Sequence, residues 1–532
     1  MAELNITTSS SPAPLGQPSV APAAPDWKGL FSRESQLRKK SVMQGMHQIL
    51  DKSVVEIRSL GPGAPSTDYF PFLGMDFEVP LSEPPKTADG KMASKATAKI
   101  HAGKHDSKNG HSIYDIAIAL QYGQGTGSTQ LLEFLSEHVK VVYIYPDSDL
   151  RLPVSPELIH QSRFKIIHDP PYKHWRCILT AGNTSAFDIV LRMFTKPGDY
   201  LLVEEYTYPT VYETALPMGL KFAGIRMDDF GMVPAHLDEV LSNWSEDAEM
   251  GKKPRLLYII PCGQNPSGAT QPTDRRRDIY KVAQKHDLLI LEDDPYYYIQ
   301  FPPYTPPTSE EKRDTDLSAI RPNSAELVDR TLLPSYLSID NDGRVLRMDS
   351  FSKIIAPGAR MGWVTAPEQI IERFVRAHEV SVQNPSGFSQ LAIFKLLHDY
   401  WGHSGFKRWL NQLQSEYSKR RNIMLDLCER HLPCEITHWT PPRAGFFLWI
   451  YVDWEKHPDV LSKSARAVEQ EIYDCAISHG TLVIPGSAFL PENKVGCMEK
   501  VFFRMTYASV PPDTMQEAIR GLGAALREVF RL

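Results

Sequence analysis

Short β-rich runs, each followed by a polar loop, constrain this chain more than any other feature. They are Cys177–Thr180, Tyr200–Val203, Leu256–Ile260, Leu288–Leu291 and Val345–Met348. Amphipathic stretches separate them; Ala186, Phe187, Val190, Leu191 and Phe194, for example, fall on one face of a helix. Strands alternating with helices predict a mostly parallel sheet covered by helices, with its ligand site at the carboxyl ends of the strands. After about Asn384 the pattern changes to longer helices with a few strands, such as Phe446–Ile450 and Val501–Met505, which predicts a second domain. The expected class is therefore α/β: a large sheet domain over 113–384 and a smaller α+β domain over 385–532.

A chain of 532 residues is too long for one hydrophobic core, which agrees with two packed domains. Hydrophobic residues make up 42% and charged residues 23%, and a net charge of -6 offers no electrostatic reason to expect nucleic acid. The six cysteines form no Cys-x-x-Cys pair, as expected of reduced thiols rather than a disulfide framework or a metal site. No stretch approaches the roughly 20 apolar residues that cross a bilayer. The first basic residue is Lys28 and the N-terminal segment is poor in arginine, so neither a secretory nor a mitochondrial leader is expected, and the cytoplasm is the default.

Ala, Pro, Ser and Thr dominate the first 26 residues, and 1–30 is expected to be a disordered tail. Over 31–77 a helix with Leu37, Val42, Met46 and Ile49-Leu50 leads into Ser59-Leu-Gly-Pro-Gly-Ala-Pro-Ser66; this segment is expected to pack on the small domain and the ligand site. Residues 78–112 and about 308–330 are polar and predict solvated insertions.

Polar groups of complementary chemistry follow the strands. Thr180-Ala-Gly-Asn-Thr-Ser185 opens a helix, where free N–H groups favour a phosphate, although a plain helix cap has the same residues. Pro261-Cys-Gly-Gln-Asn-Pro-Ser-Gly268 is by itself a turn. Glu292-Asp-Asp-Pro-Tyr-Tyr-Tyr298 places a tyrosine three positions beyond Asp293, so that acid and phenol could address two atoms of one planar ring. Sharpest is Ser350-Phe-Ser-Lys353 with Arg360: hydroxyls and a forked guanidinium suit a phosphate, and a lysine beside them suits a covalent bond to a carbonyl. Gly123-Gln-Gly-Thr-Gly127 follows no strand of a βαβ unit and is not read as a dinucleotide loop.

With these residues the chain resembles the fold-type I enzymes that use pyridoxal 5′-phosphate (PLP), the class I/II aminotransferases, in the branch of fungal aromatic amino acid and kynurenine/α-aminoadipate aminotransferases. The resemblance runs from about Arg38 to Leu532. Ser350–Gly362 matches Ser-x-Ser-Lys-x-x-x-Pro-Gly-x-Arg-x-Gly, Asn265–Gly268 matches Asn-Pro-x-Gly, and Glu292–Tyr297 matches Glu-Asp-Asp-Pro-Tyr-Tyr. It implies that Lys353 forms the Schiff base with PLP and serves as general acid and base. Asp293 would pair with the pyridine nitrogen, Asn265 and Tyr296 would bond the ring oxygen, and Tyr208 would stack on the ring. The phosphate would lie among Asn183, Thr184, Ser350, Ser352 and Arg360, with Asn183-Thr184 standing where the family usually has Ser-Gln. Arg504 would grip the substrate carboxylate beside Asn265, with Gly63 letting the N-terminal segment approach the substrate. Tyr122 corresponds to a tyrosine that reaches the neighbouring subunit's cofactor, which implies a homodimer with shared active sites.

The implied reaction exchanges amino groups between phenylalanine, tyrosine or tryptophan and a 2-oxo acid such as 2-oxoglutarate. Relatives that accept aminoadipate or kynurenine carry an arginine where this chain has Gln44, which weighs against strong recognition of an acidic side chain there. A PLP-dependent carbon–sulfur lyase would share the cofactor residues. A transcription regulator built on the same domain would need a winged helix-turn-helix, for which residues 1–58 offer only a tail and one helix.

Overall fold

The computed structural model describes residues 23–41, 63–81, 96–140, 168–247, 251–306 and 332–532. An antiparallel hairpin of β1 (Gly74–Pro80) and β2 (Thr97–Gly103) precedes the main sheet. That sheet contains β3 (Trp175–Thr180), β4 (Tyr200–Glu204), β5 (Lys221–Ile225), β6 (Leu256–Ile259), β7 (Leu289–Asp293), β8 (Val345–Ser350) and β9 (Gly362–Pro367), in the order β3-β9-β8-β7-β6-β4-β5. All the expected strands are present. β5 and β9 escape the sequence pattern: β5 is a half-exposed edge, and β9 runs antiparallel to both neighbours, returning from β8 through a tight loop instead of a helix.

Helices α1 (Asn183–Phe194) and α2 (Thr273–Lys285) cover opposite faces, with α3 (Glu368–His378) beside α1. Period-two alternation divides the strand residues between those faces. Leu201, Val203, Tyr258, Leu289, Leu291 and Met348 pack with α1, and Leu202, Leu257, Ile259 and Ile290 pack with α2. A second sheet is antiparallel throughout, with β11 (Phe447–Val452) and β13 (Val501–Thr506) paired at its centre between β10 (Thr437–His438) and β12 (Ile484–Pro485). The long helix Gly402–His431 and the C-terminal helix Pro512–Phe530 pack against each other in this part of the chain. Among the described residues no helix is long and apolar enough to cross a membrane.

Two expectations change. Residues 23–30 are packed, not a loose tail. Ala23 bridges to Lys173, and buried Trp27 donates Nε1–H to the Gly343 carbonyl at 2.7 Å with the Arg344 guanidinium over its ring. The following turn sits on the large domain, where Ser32 N–H bonds the Met193 carbonyl and Arg373 reaches the carbonyls of Ser35 and Arg38. Residues 97–106 are likewise no solvated insertion. Ile100 and Ala102 are buried, Lys104 Nζ donates to the carbonyls of Asp68 and Phe70, and Lys395 Nζ bonds Asp106 at 3.0 Å. The polar composition misleads because Lys104 and Asp106 find partners inside. Residues 1–22, the helix expected beyond Ser41 with Gln44, and the insertion at 308–330 lie outside the described residues.

Replacing a buried aromatic residue by alanine costs about 3–5 kcal/mol. Trp27→Ala should therefore lower the thermal unfolding midpoint by several degrees; an unchanged midpoint in calorimetry would show that this anchor carries no stability.

Candidate active site

The carboxyl ends of β6, β7 and β8 and the start of α1 open on one cleft of about 360 Å³. Its walls include Asn183, Thr184, Tyr208, Asn265, Asp293, Tyr296, Ser350, Ser352, Lys353, Arg360 and Arg504, so eleven of the residues singled out in the sequence converge. Two do not. Tyr122 is 57% exposed and lines no part of its own chain's cleft. Gly63 has open space around it among the described residues, so none of them requires a glycine there.

One end of the cleft is built for an anion. Gly182 precedes α1 with φ +90°, and a Cβ there would stand 2.7 Å from Arg360 Nη2, so only glycine leaves room for the guanidinium to close over the helix start. Arg360 itself has φ +48° and is steadied by the Pro357 carbonyl at 3.0 Å and Ser352 Oγ at 3.3 Å. Ser352 N–H in turn bonds Ser350 Oγ at 3.1 Å.

Asp293 lies deeper, on the α1 face of β7. Tyr258 Oη donates to one of its oxygens at 2.6 Å and Asn183 Nδ2 to the other at 2.7 Å. The Asn183 side chain, expected at the phosphate, thus turns inward, and its second N–H bonds the Met348 carbonyl at 3.0 Å. The asparagine side chain is long enough to span α1 and the two strands. Burial raises the Asp293 carboxyl above the ordinary range although Tyr258, Asn183, Arg347 and Lys353 all oppose it. A cationic ring nitrogen is the partner that such a carboxylate lacks.

Lys353 stands between these ends, its Nζ 5.9 Å from the ring centres of Tyr296 and Phe446. Burial lowers its pKa, Arg360 and Arg504 lower it further, and Asp293 resists. The amine is therefore held toward its neutral, nucleophilic form. Across the cleft, Arg504 donates to Asn265 Oδ1 at 2.7 Å and lies between Phe447 and Phe489, 4.3 and 4.9 Å from their centres. The groups that favour its charge are the phenols of Tyr296 and Tyr208, not a carboxylate. Burial lowers its pKa without removing its charge.

Tyr258, Phe447 and Phe489 were not singled out in the sequence, since each sits in an apolar run and reads as core. Arg347 was also passed over, although a charge inside Val345-Leu-Arg-Met348 is a visible anomaly. It is fully buried on the opposite face of the sheet, beside Glu292, Asp294 and Asp349.

Donors for a phosphate, a carboxylate for a ring nitrogen, a lysine between them and a planar wall at Tyr208 together fit PLP. When bound, PLP withdraws electrons from the substrate Cα. A hydrogen bond to a charged group contributes about 1.5–3 kcal/mol, so Asn183→Ala should weaken PLP binding by about tenfold or more, read from the absorbance of the bound cofactor. Unchanged affinity would remove Asn183 from the cofactor's support.

The family model for aminotransferase class I and II matches residues 164–522. An aromatic amino acid aminotransferase of Schizosaccharomyces pombe is 37% identical over 504 residues, covering 94% of this chain and 98% of the relative. An L-tyrosine:2-oxoglutarate aminotransferase of Serpula lacrymans is 33% identical, covering 86% and 82%. The crystal structure of the aminotransferase Aro8 from Candida albicans superposes with a TM-score of 0.80 at 35% identity, over 96% of this chain and all of that one. The chain belongs to the class I/II aminotransferases and is a fold-type I enzyme with PLP as its cofactor.

Proposed function

We propose that this enzyme transfers the amino group of phenylalanine, tyrosine or tryptophan to 2-oxoglutarate or a similar 2-oxo acid, as a cytoplasmic homodimer. The observation that carries the reading is Arg504. Its guanidinium is held by an amide and two aromatic rings instead of a carboxylate, so its charge is available to a substrate carboxylate. The walls near it, Tyr208, Tyr296 and Phe447, are aromatic and suit a flat apolar side chain. The names of the relatives in Schizosaccharomyces and Serpula support the same substrates.

Within the cleft each residue has one task. Arg504 and Asn265 orient the substrate carboxylate, which brings the Cα–H bond toward Lys353. Lys353 Nζ, whose charged form burial disfavours, would take the Cα proton and pass it to the cofactor carbon that the amino group joins. Tyr296 and Asn265 would hold the cofactor's ring oxygen, Ser350, Ser352, Thr184 and Arg360 would hold its phosphate, and Asp293 would hold the ring nitrogen's charge.

An exposed apolar face supports the dimer. Tyr69, Leu73, Ile113, Ile118, Tyr122 and Val380 are each more than 40% exposed. Contacts join their segments: Gln121 Nε2 bonds the Pro65 carbonyl, and Phe72 packs edge-on against Phe388 at 5.1 Å. Exposed apolar residues gathered in this way suit an interface, and in a homodimer Tyr122 would reach the second copy's cleft. Reduced cysteines support the cytoplasm: all six are free, and Cys177, Cys262 and Cys428 are buried.

In a panel of amino donors with 2-oxoglutarate, kcat/KM for the aromatic amino acids should exceed that for aminoadipate and kynurenine. The reverse order would replace this specificity, and release of a thiol from a sulfur amino acid without oxo acid would indicate a lyase. Subunits carrying Lys353→Ala and subunits carrying Tyr122→Ala, each impaired alone, should regain activity when mixed and reassembled, because half of each hybrid is intact. Mixtures no better than their parents would contradict shared sites.

A further inference from the structure

Gln264, next to Asn265, is fully buried and spends every polar direction of its side chain on three residues, two at the end of β4 and one in its own turn. Its Nε2 donates to Glu204 Oε2 at 3.1 Å and to the Tyr206 carbonyl at 2.7 Å. Its Oε1 accepts from Ser267 N–H at 2.8 Å and from Ser267 Oγ at 2.7 Å. Glu204, at the end of β4, is fully buried as well; its Oε2 also accepts Ile260 N–H at 3.3 Å, and its Oε1 meets no hydrogen-bond partner among the described residues.

These bonds join two walls of the cleft. Tyr208 follows Tyr206 by two residues, and Asn265, which receives Arg504 at 2.7 Å, follows Gln264 directly. A buried amide with both N–H groups and its oxygen committed cannot shift without leaving a polar group unpaired, so the bonds fix the distance between the Tyr208 loop and the Asn265 turn. Burial pushes the Glu204 carboxyl up to about 8, against Gln264 and Ile260, so near neutral pH it is held as the uncharged acid. An amide of the same shape can replace an uncharged acid as the acceptor.

We propose that Gln264, seated on Glu204, is a positioning residue that sets the gap between Tyr208 and Asn265, and with it the fit of the cofactor ring and the aim of Arg504. The proposal rests on the PLP reading of the cleft. Its test compares PLP affinity, the pH at which the bound cofactor changes its spectrum, and KM and kcat for phenylalanine across variants of the full-length dimeric enzyme.

Gln264→Leu, which loses four buried hydrogen bonds, and Glu204→Leu, which loses two, should each weaken PLP binding and raise KM by about tenfold or more, shift the spectral pH midpoint, and change kcat by less than about threefold. Glu204→Gln, which keeps an acceptor for Gln264 and Ile260, should restore all of these to within about threefold of the original enzyme. Unaltered PLP affinity and spectrum in Gln264→Leu, or equal damage from Glu204→Gln and Glu204→Leu, would overturn the proposal. If the leucine variants do not fold, Ser267→Ala decides: it removes one bond to Oε1, and should weaken PLP binding by about threefold, whereas no change would overturn it. Failure of the original enzyme to bind PLP would instead refute the underlying reading of the cleft.

Discussion

The ion cluster around Arg347 supports everything above it. Arg347 on β8 stands in register with Glu292 on β7 and bonds Glu292 at 2.8 Å, Asp294 at 3.3 Å and Asp349 at 2.7 Å, all buried. Alternation along a strand sends residues 292 and 294 to one face and 293 to the other, and likewise separates 347 and 349 from 350. The cluster therefore clamps the two central strands from behind, while Asp293 and Ser350 face the cleft. Burial opposes the charge of Arg347, but the three carboxylates overcome it and hold its pKa above the ordinary value. Burial also pushes Asp294 up to about 7 and Asp349 up to about 6 despite Arg347. Such a cluster adds little net stability over an apolar core, yet removing one partner costs about 3–5 kcal/mol, so its effect is to forbid any other register of the two strands.

On the cleft side the same two strands carry opposed charges in a low-dielectric site. Asp293 is raised by burial and Lys353 is lowered by it, so both groups are displaced toward their neutral forms until a ligand supplies the missing partners. Cationic Arg360 and Arg504 flank the lysine and lower it further. The arrangement favours a ligand with a negative group at one end, a protonated nitrogen at the other and an electrophilic carbon between, which is the charge pattern of PLP. Asn183 strengthens it by linking the helix that faces the phosphate to the carboxylate that faces the ring nitrogen.

The fold and most of the site were legible in the sequence because strand ends are where local pattern and function coincide. A polar residue just after a buried apolar run, as at Asp293 or Lys353, has no bland explanation once several recur in order. What stayed hidden depends on contacts between distant segments. Whether Asn183 faces the phosphate or Asp293 is decided by β7 and β8, more than a hundred residues away. Tyr258 alternates with core residues and reads as one. The polar stretch after Thr97 looked solvated because its charges find partners, such as Lys395 for Asp106, far along the chain. β9 was missed because an antiparallel return through a loop breaks the strand–helix rhythm that identified the others.

The account's central claim is that Lys353 and its neighbours move an amino group through a bound PLP. A single-turnover experiment addresses it: PLP-loaded enzyme mixed with excess phenylalanine, no oxo acid present, followed by absorbance and by analysis of the released product. The account predicts conversion of the cofactor to pyridoxamine phosphate with one equivalent of phenylpyruvate per site, and no conversion in Lys353→Ala. Persistence of the original cofactor spectrum with no oxo acid released, or equal conversion in Lys353→Ala, would contradict it.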